Sequence, residues 1–164
     1  YVGGHPMAGK ERSGFEASEA GLFYNASYIF VPCDAPEAAL QTLVGLAEAM
    51  GFGTIRYCTQ QTHDRMIAYT SQVPHVLACA YVMSPRCAEH NGFSAGSYRD
   101  VSRVARINAA LWADLFLSNR AELSDELVEL IRNIESIREA VDCGDREKIV
   151  ALLSAAREKK EKFG

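Results

Sequence analysis

A histidine follows two glycines close to the start of the sequence, in the order Gly3-Gly4-His5-Pro6. Residues 1–4 have the character of the end of a β-strand, which would place His5 just beyond its carboxyl end. Ligands of open α/β sheets bind beyond the carboxyl ends of the strands, and histidine exchanges a proton near neutral pH. His5 is therefore a well-placed candidate site residue. The alternative is a surface turn with solvated polar groups.

Two further histidines lie in a helical stretch, one of them followed directly by an aspartate as His63-Asp64. Adjacent His-Asp pairs occur in metal-dependent phosphohydrolases, which need further ligands on neighbouring helices. His75 is twelve residues on and would lie about 120° away around a regular helix, so we expect no metal site. The alternatives are that Asp64 is a favourable charge near a helix start and that His75 is a hydrogen-bonded core residue.

Four charged residues recur at helical spacing near a predicted helix start, namely Arg99, Asp100, Arg103 and Arg106. Surface ion pairs with this spacing contribute little to stability. An arginine held in a site instead binds a carboxylate through two parallel hydrogen bonds. The spacing alone leaves both interpretations open.

The first 60 residues alternate between strand and helix patterns. Residues 27–32 are rich in β-formers and stop at proline. A helix is predicted to follow, capped by Asp34 and ending at Gly51, with an apolar face formed by Leu40, Leu43, Val44, Ala47 and Met50. Residues 54–58 predict another strand. A strand, a helix and a strand form a βαβ unit of a parallel sheet, and so few strands indicate a truncated domain.

The next part of the sequence has helical character. Residues 62–83 predict one long apolar helix that Pro74 kinks. Residues 85–97 contain two glycines and an asparagine and predict a loop. Helices are then expected over residues 99–117, with a break near Asn108.

The last part of the sequence predicts two helices. Ser124 is expected to cap the first of them, which carries a continuous apolar stripe formed by Leu127, Leu130, Ile131, Ile134, Ile137 and Val141. Asp145 is expected to cap the second, which runs to about residue 162. Apolar faces attached to an incomplete sheet favour a homodimer formed through the helices.

Composition excludes several classes of protein. The 164 residues carry 17 Lys+Arg against 21 Asp+Glu, a net charge of -4 that predicts no binding to nucleic acid or to an anionic membrane. No apolar run reaches the roughly 20 residues that span a bilayer. Five scattered cysteines without a CxxC pair are typical of reduced thiols in a cytoplasmic protein. We therefore expect a soluble cytoplasmic globular protein.

Three segments, in order and with matching gaps, resemble the motifs of the prephenate/arogenate dehydrogenase family. The first is VGGHPMAG at residues 2–9, with Glu11 and Ser13-Gly14 after it. The second combines His63-Asp64 with SQVPH at residues 71–75. The third is GSYRDVSRVA at residues 96–105, followed by LWAD at residues 111–114.

The resemblance implies a fold and an activity. The fold is an α/β remnant of a dinucleotide-binding sheet over residues 1–59, followed by a mainly α-helical substrate-binding and dimerisation domain over residues 60–164. The activity is the NAD- or NADP-dependent oxidative decarboxylation of prephenate to 4-hydroxyphenylpyruvate in tyrosine biosynthesis. The alternatives are arogenate dehydrogenase, which forms tyrosine from arogenate, and a helical module that dimerises and senses tyrosine without catalysis.

The resemblance also assigns residues to the substrate site. His5 matches the histidine that accepts a hydrogen bond from the substrate hydroxyl, and Arg103 matches the arginine that binds a substrate carboxylate. Glu11 and Asp100 match acidic partners in an ionic network with that arginine, part of it contributed across the dimer. The substrate lies between the two domains, and tyrosine is an expected inhibitor.

The helix motif implies further pocket residues. Ser71 and His75 match residues near the side chain that distinguishes substrate, product and tyrosine. Trp112 matches a pocket or packing position, and we favour packing. Gln72 stands where the family has a histidine, which puts any role of that imidazole in doubt.

The cofactor site is expected to lie mainly outside this chain. No GxGxxG motif follows a strand anywhere in the sequence, and this motif forms the pyrophosphate cradle of dinucleotide-binding domains. We therefore expect the chain to be the C-terminal portion of the enzyme and to be inactive by itself.

Overall fold

The computed structural model describes residues 1–10, 12 and 14–163. The chain divides into two compact units, one from Tyr1 to Leu123 and a second that begins at Ser124. Glu11, which the motif comparison assigns to the ionic network, lies outside the described residues.

The first unit begins with a three-stranded sheet in the order β1-β2-β3. Its strands are β1 (Gly3–Pro6), β2 (Ser27–Val31) and β3 (Thr54–Tyr57). Strands β2 and β3 are parallel, and helix α1 (Glu37–Ala49) connects them, so the predicted βαβ unit is confirmed. Strand β1 pairs antiparallel with β2, which makes the sheet mixed.

The predicted position of His5 beyond the end of a strand is wrong. His5 lies within β1 and pairs with Ile29 in the middle of β2. Because β1 is antiparallel to β2, its carboxyl end lies beside the amino end of β2. The rule that places ligands beyond the carboxyl ends of parallel strands therefore does not explain where His5 lies.

The core of the sheet lies on the side that α1 covers. It is formed by the buried side chains of Phe30, Leu40, Ala47 and Phe52. The ring of Tyr28 packs edge-on against Phe52, with ring centroids 4.9 Å apart. Aromatic pairs of this geometry stabilise a core beyond the burial of their surface. Met50, expected on the same face, is 40% exposed.

Helix α1 begins without the predicted cap. Pro36 is the N-cap residue, and no side chain bonds to the first turn. Residues 32–35 form a turn in which the Ala35 N–H donates to the Pro32 carbonyl, with Cys33 at φ 50°. The helix therefore starts only after this turn. At its other end Gly51 adopts φ 92°, as the expected stop at this glycine requires.

The predicted long helix over residues 62–83 is divided into three parts. These are α2 (Gln60–Ile67), a π-helical turn (Ala68–Gln72) and α3 (Val73–Val82). The Thr59 hydroxyl caps α2 by accepting from the Thr62 N–H. Pro74 lacks an N–H, and the wider π turn before it accommodates the lost helical hydrogen bond.

The rest of the first unit consists of short helices. They are 3₁₀ turns at Phe15–Ala17, Pro85–Glu89 and Arg103–Ala105, helix α4 (Gly96–Ser102) and helix α5 (Ala109–Ser118). Residues 85–97 are thus only partly loop. Asn108 caps α5 by accepting from the Leu111 N–H, which confirms the predicted break.

The last two helices are α6 (Arg120–Asp142) and α7 (Arg146–Phe163). Ser124 lies inside α6, so its predicted capping role is wrong. The helix starts earlier, in a turn where Leu123 is buried and its N–H bonds to the Asn119 carbonyl. Asp145 caps α7 as predicted, because its carboxylate accepts from the Lys148 N–H at 2.9 Å.

The predicted fold class is confirmed: a small α/β sheet precedes a mainly helical region. Over the described residues, no helix combines the length and the apolar character that crossing a membrane requires.

Candidate functional site

The two faces of the sheet have different roles. Side chains alternate between the faces of a strand, so Gly4 lies on the core face and His5 on the opposite one. A glycine is needed at position 4 because the Tyr28 ring occupies the space that a side chain would take. A Cβ at position 4 would lie 2.9 Å from a ring carbon of Tyr28. His5, Ile29 and Val31 share the second face, which carries the candidate site.

Three side chains form a hydrogen-bonded chain on this second face. His5 Nδ1 lies 2.8 Å from His63 Nε2, and His63 Nδ1 lies 2.8 Å from Asp64 Oδ1. Burial and, second to it, the neighbouring His63 lower the pKa of His5 below the ordinary histidine value. His5 therefore stays neutral down to a lower pH than a free histidine does.

A cavity of about 360 Å³ adjoins this chain. Its lining includes Tyr1, Gly3, His5, Cys33, His63 and Asp64. A half-buried imidazole at the wall of a cavity can exchange a proton with a bound ligand.

A second cavity of about 280 Å³ has a cationic and aromatic lining. Lys10 and Arg106 supply positive charge, although Lys10 also pairs with Glu19. His75 stacks on Trp112 with ring centroids 3.7 Å apart. The lining suits an anionic ligand with a flat group, since arginine and lysine bind anions and aromatic faces stack.

His75 is held in place from its own helix. Its Nδ1 lies 2.7 Å from the Ser71 carbonyl oxygen, and a carbonyl only accepts, so Nδ1 carries the proton. The unprotonated Nε2 of a neutral His75 is then a hydrogen-bond acceptor. Trp112 combines the two roles considered for it, because it lines the cavity and also packs edge-on against Phe116.

Gln72, at the position where the resemblance places a histidine, is buried, and both ends of its amide are hydrogen-bonded. Its amide nitrogen donates to the Leu115 carbonyl at 3.1 Å, and its amide oxygen accepts from Asn119 at 3.0 Å. Asn119 also donates to the backbone carbonyl of Asp64 at 2.8 Å. Gln72 therefore connects the π turn to the end of α5 and supports the segment that carries Asp64.

The structure also describes Asp100, Arg103 and Ser71, which the resemblance assigns to the substrate site. Asp100 lies in α4, and Arg103 begins the 3₁₀ turn that follows; both are exposed. Val104 and Arg106, the neighbours of Arg103, line the second cavity. Ser71 reaches the site through its backbone carbonyl, which holds His75.

The contact between His5 and His63 could not be predicted from the sequence. The two residues are 58 positions apart, and no local periodicity relates a strand residue to a helix residue at that distance. The adjacent His-Asp pair was the only indication. Among the described residues there is no group of three or more His, Cys, Asp or Glu side chains suited to a metal ion, and the His63–Asp64 pair instead bonds to His5.

Comparisons with known proteins place both halves of the chain in one family. The family model described as "Prephenate dehydrogenase, nucleotide-binding domain" matches residues 1–55. The model described as "Prephenate dehydrogenase, dimerization domain" matches residues 59–155.

Two curated relatives support the match. The prephenate dehydrogenase of Bacillus subtilis is 32% identical over 164 residues, which cover 96% of this chain and 44% of the relative. The cyclohexadienyl dehydrogenase of Zymomonas mobilis is 32% identical over 151 residues, which cover 88% of this chain and 51% of the relative. The chain thus spans about half the length of these relatives.

A solved structure agrees with the fold. The prephenate dehydrogenase of A. aeolicus in complex with hydroxyphenyl propionate and NAD+ matches with a TM-score of 0.83 and 26% identity, over 99% of this chain and 59% of that one. The chain therefore belongs to the prephenate dehydrogenase family.

Proposed function

We propose that the chain forms the C-terminal part of an NAD-dependent prephenate dehydrogenase of tyrosine biosynthesis, which converts prephenate to 4-hydroxyphenylpyruvate. Family membership supports a dehydrogenase. Arogenate dehydrogenase is the alternative, because arogenate has the same ring and differs only in an amino group on the side chain.

The observation that carries the proposal is the environment of His5. The imidazole is half-buried at the wall of a cavity, and its Nδ1 is engaged by His63. Nε2 is therefore the nitrogen that can meet a ligand. In the proposed reaction it accepts the proton of the substrate hydroxyl as the carbon bearing that hydroxyl is oxidised. That carbon loses a hydride, the ring carboxylate departs as CO₂ and the ring becomes aromatic. His5 then returns the proton to the phenolate oxygen of the product.

The substrate is a dianion, and cationic side chains of the chain suit it. Arg103 is assigned to a substrate carboxylate, with Asp100 and Glu11 as acidic residues that orient it. Ser71 and His75 are assigned to the side-chain end of the substrate. The stacked His75 and Trp112 and the positive charges of Lys10 and Arg106 in the second cavity support this assignment.

We propose that the residues of this chain do not hold a dinucleotide by themselves. Strand β1 leads into no GxGxxG turn, and the sequence contains no such motif, so a pyrophosphate cradle is lacking. We propose that NAD or NADP, which accepts the hydride, is bound mainly by the nucleotide-binding half of the complete enzyme. The chain alone is then inactive, which spectroscopic NAD titrations of the chain and of the complete enzyme would test.

We further propose a homodimer formed through the last two helices. Their apolar side chains are exposed in the single chain: Ile131 is 52%, Val141 58% and Leu153 55% exposed. A face of this kind is typical of an oligomer interface. Tyrosine, which resembles the product, is proposed as an inhibitor bound at the substrate site.

The proposal is tested by assaying the complete enzyme with prephenate and with arogenate while following NADH or NADPH. The key variant is His5→Asn, whose amide can still bond to His63 while Nε2 is lost. We expect kcat to fall by about 10²–10⁴-fold, the usual contribution of a general base, while KM changes little.

His90→Asn is the matched control, because His90 bonds to Ser94 and lines neither cavity described above. Undiminished turnover in His5→Asn, or no turnover with either substrate, would contradict the proposal. Turnover with arogenate alone would select the arogenate alternative.

A further inference from the structure

We propose that Asp64 and His63 act as positioning residues that hold His5 in the tautomer with a proton on Nδ1 and a free lone pair on Nε2. The catalytic part of this inference rests on the proposed function. The tautomer itself depends only on the three side chains and can be measured independently.

The direction of the hydrogen bonds begins at Asp64. An ionised carboxylate only accepts hydrogen bonds. The contact of 2.8 Å between His63 Nδ1 and Asp64 Oδ1 therefore requires the proton on His63 Nδ1. In a neutral imidazole the other nitrogen is then an acceptor, so His63 Nε2 carries a lone pair.

The same rule fixes the tautomer of His5. His5 Nδ1 lies 2.8 Å from His63 Nε2, and two lone pairs cannot share a hydrogen bond. His5 Nδ1 must therefore donate, which leaves Nε2 unprotonated. A base that takes a proton from a hydroxyl at neutral pH needs this lone pair.

The two positioning residues are themselves held by the fold. The Thr59 hydroxyl caps the start of α2. Thr59 lies four residues before His63 and so fixes the helical turn that carries it. Asn119 binds the backbone carbonyl of Asp64. The side chains of His63 and Asp64 are only 21% and 36% exposed, so water competes weakly for their hydrogen bond.

The protonation state of His63 gives the inference a second consequence. A protonated His63 has two N–H donors, and His5 Nδ1 would then have to accept. His5 would carry its proton on Nε2 and could not act as a base. Among the described residues, other titratable groups near the pair are Tyr1 and Cys33 in the cavity lining. Another is Cys58, whose thiol pKa is raised by burial and by Asp64.

The direct test is a long-range ¹H–¹⁵N correlation spectrum of the 164-residue chain with labelled histidine. It is recorded near pH 8, about 1.5 units above the ordinary histidine pKa. We expect both His5 and His63 to show a protonated Nδ1 and an unprotonated Nε2. A proton on Nε2 of His5 would overturn the inference.

The variant Asp64→Asn tests the origin of the effect. Its amide can donate to His63 Nδ1, which reverses the chain and moves the proton of His5 to Nε2. We expect the tautomer of His5 with its proton on Nε2 to become at least as abundant as the tautomer with its proton on Nδ1. The control is Asp34→Asn, which removes the same charge at an exposed position. An unchanged tautomer in Asp64→Asn would show that Asp64 does not set it.

A third variant remains informative if Asp64→Asn does not fold. In His63→Gln the positive charge that His63 can acquire is removed, so the pKa of His5 should rise toward 6.5 in an NMR titration. No rise would contradict the coupling of the two rings.

Activity of the complete enzyme separates this inference from the proposed function. With prephenate, Asp64→Asn should lower kcat on the order of 10²-fold and leave KM nearly unchanged, since the substrate contacts remain. If the wild type has no activity but shows the expected tautomers, only the proposed function fails. If activity is present and the tautomer of His5 is the opposite one, only the positioning role fails.

Discussion

The two compact units of the chain treat their apolar residues differently. In the first unit Phe30 and Phe52 are buried in a closed core, and polar side chains far apart in sequence meet on the opposite sheet face. In the second unit Ile134 and Leu153 remain 48% and 55% exposed. The first unit can thus form a site from its own residues, whereas these apolar side chains of the second remain exposed, as the proposed homodimer would require.

This difference in the burial of apolar side chains follows from the kind of secondary structure in each unit. A sheet covered by a helix buries one face within a short segment of chain. A helix instead buries only one stripe of its surface, so further apolar positions of α6 and α7 remain in water.

A substitution in the core of the first unit should lower the free energy of unfolding strongly. Phe30→Ala removes a ring that is 2% exposed, and we expect the free energy of unfolding to fall by about 3–5 kcal/mol. Urea denaturation followed by circular dichroism measures the change. Leu46→Ala, at a position 55% exposed in α1, should change it by less than about 0.5 kcal/mol. Equal losses would show that the sheet has no closed core.

A substitution in the candidate site of the first unit should weaken substrate binding rather than lower the free energy of unfolding. Arg103→Ala in the complete enzyme should lose a charge-assisted contact of about 2–5 kcal/mol and raise KM at least about thirtyfold. Arg132→Ala, an exposed change in α6, should leave KM unaltered. A loss of activity that only follows a loss of stability would make Arg103 a structural residue.

The apolar surface of the second unit should control the oligomeric state. Ile134→Glu places a charge at the centre of the stripe on α6, and we expect the dimer dissociation constant to rise at least about thirtyfold, as for an interface hot spot. Sedimentation equilibrium measures it. Asn133→Glu adds the same charge at the adjacent exposed position and should have little effect. A dimer that tolerates Ile134→Glu would place the interface elsewhere.

The smallest effect concerns pH. The folded-state pKa of His5 is lowered, so below about pH 6.5 the unfolded chain binds the proton more readily than the folded one. The contribution of His5 to stability is complete above that pH and is lost as the pH falls through the lower folded-state pKa. Wild type should therefore lose more stability than His5→Asn between about pH 8 and about pH 5. If urea titrations show that wild type and His5→Asn lose the same free energy of unfolding, the lowered pKa of His5 is contradicted.

Local patterns predicted much of the fold. The βαβ unit, the break near Asn108 and the cap at Asp145 follow from residue type and spacing within one or two turns. The caps at Asp34 and Ser124 were predicted on the same grounds and are wrong. A turn after β2 delays the first helix, and burial of Leu123 starts α6 before Ser124. A residue suited to capping does so only where the surrounding chain begins the helix.

Sequence motifs predicted only part of the candidate site. The motifs identified the family and the residues of interest, including His5, Arg103 and His75. They did not predict that Gln72 is buried in a network with Asn119. Neither residue type nor spacing predicts these contacts of the Gln72 amide, because they join residues 43 and 47 positions apart.

Residue types and local spacing are enough to predict the class of fold, the family and the polar residues available for chemistry. The antiparallel direction of β1 and the contact between His63 and His5 became visible only in the folded chain. Strand direction and contacts over 58 positions depend on how separate elements pack, and local periodicity contains no information about that packing.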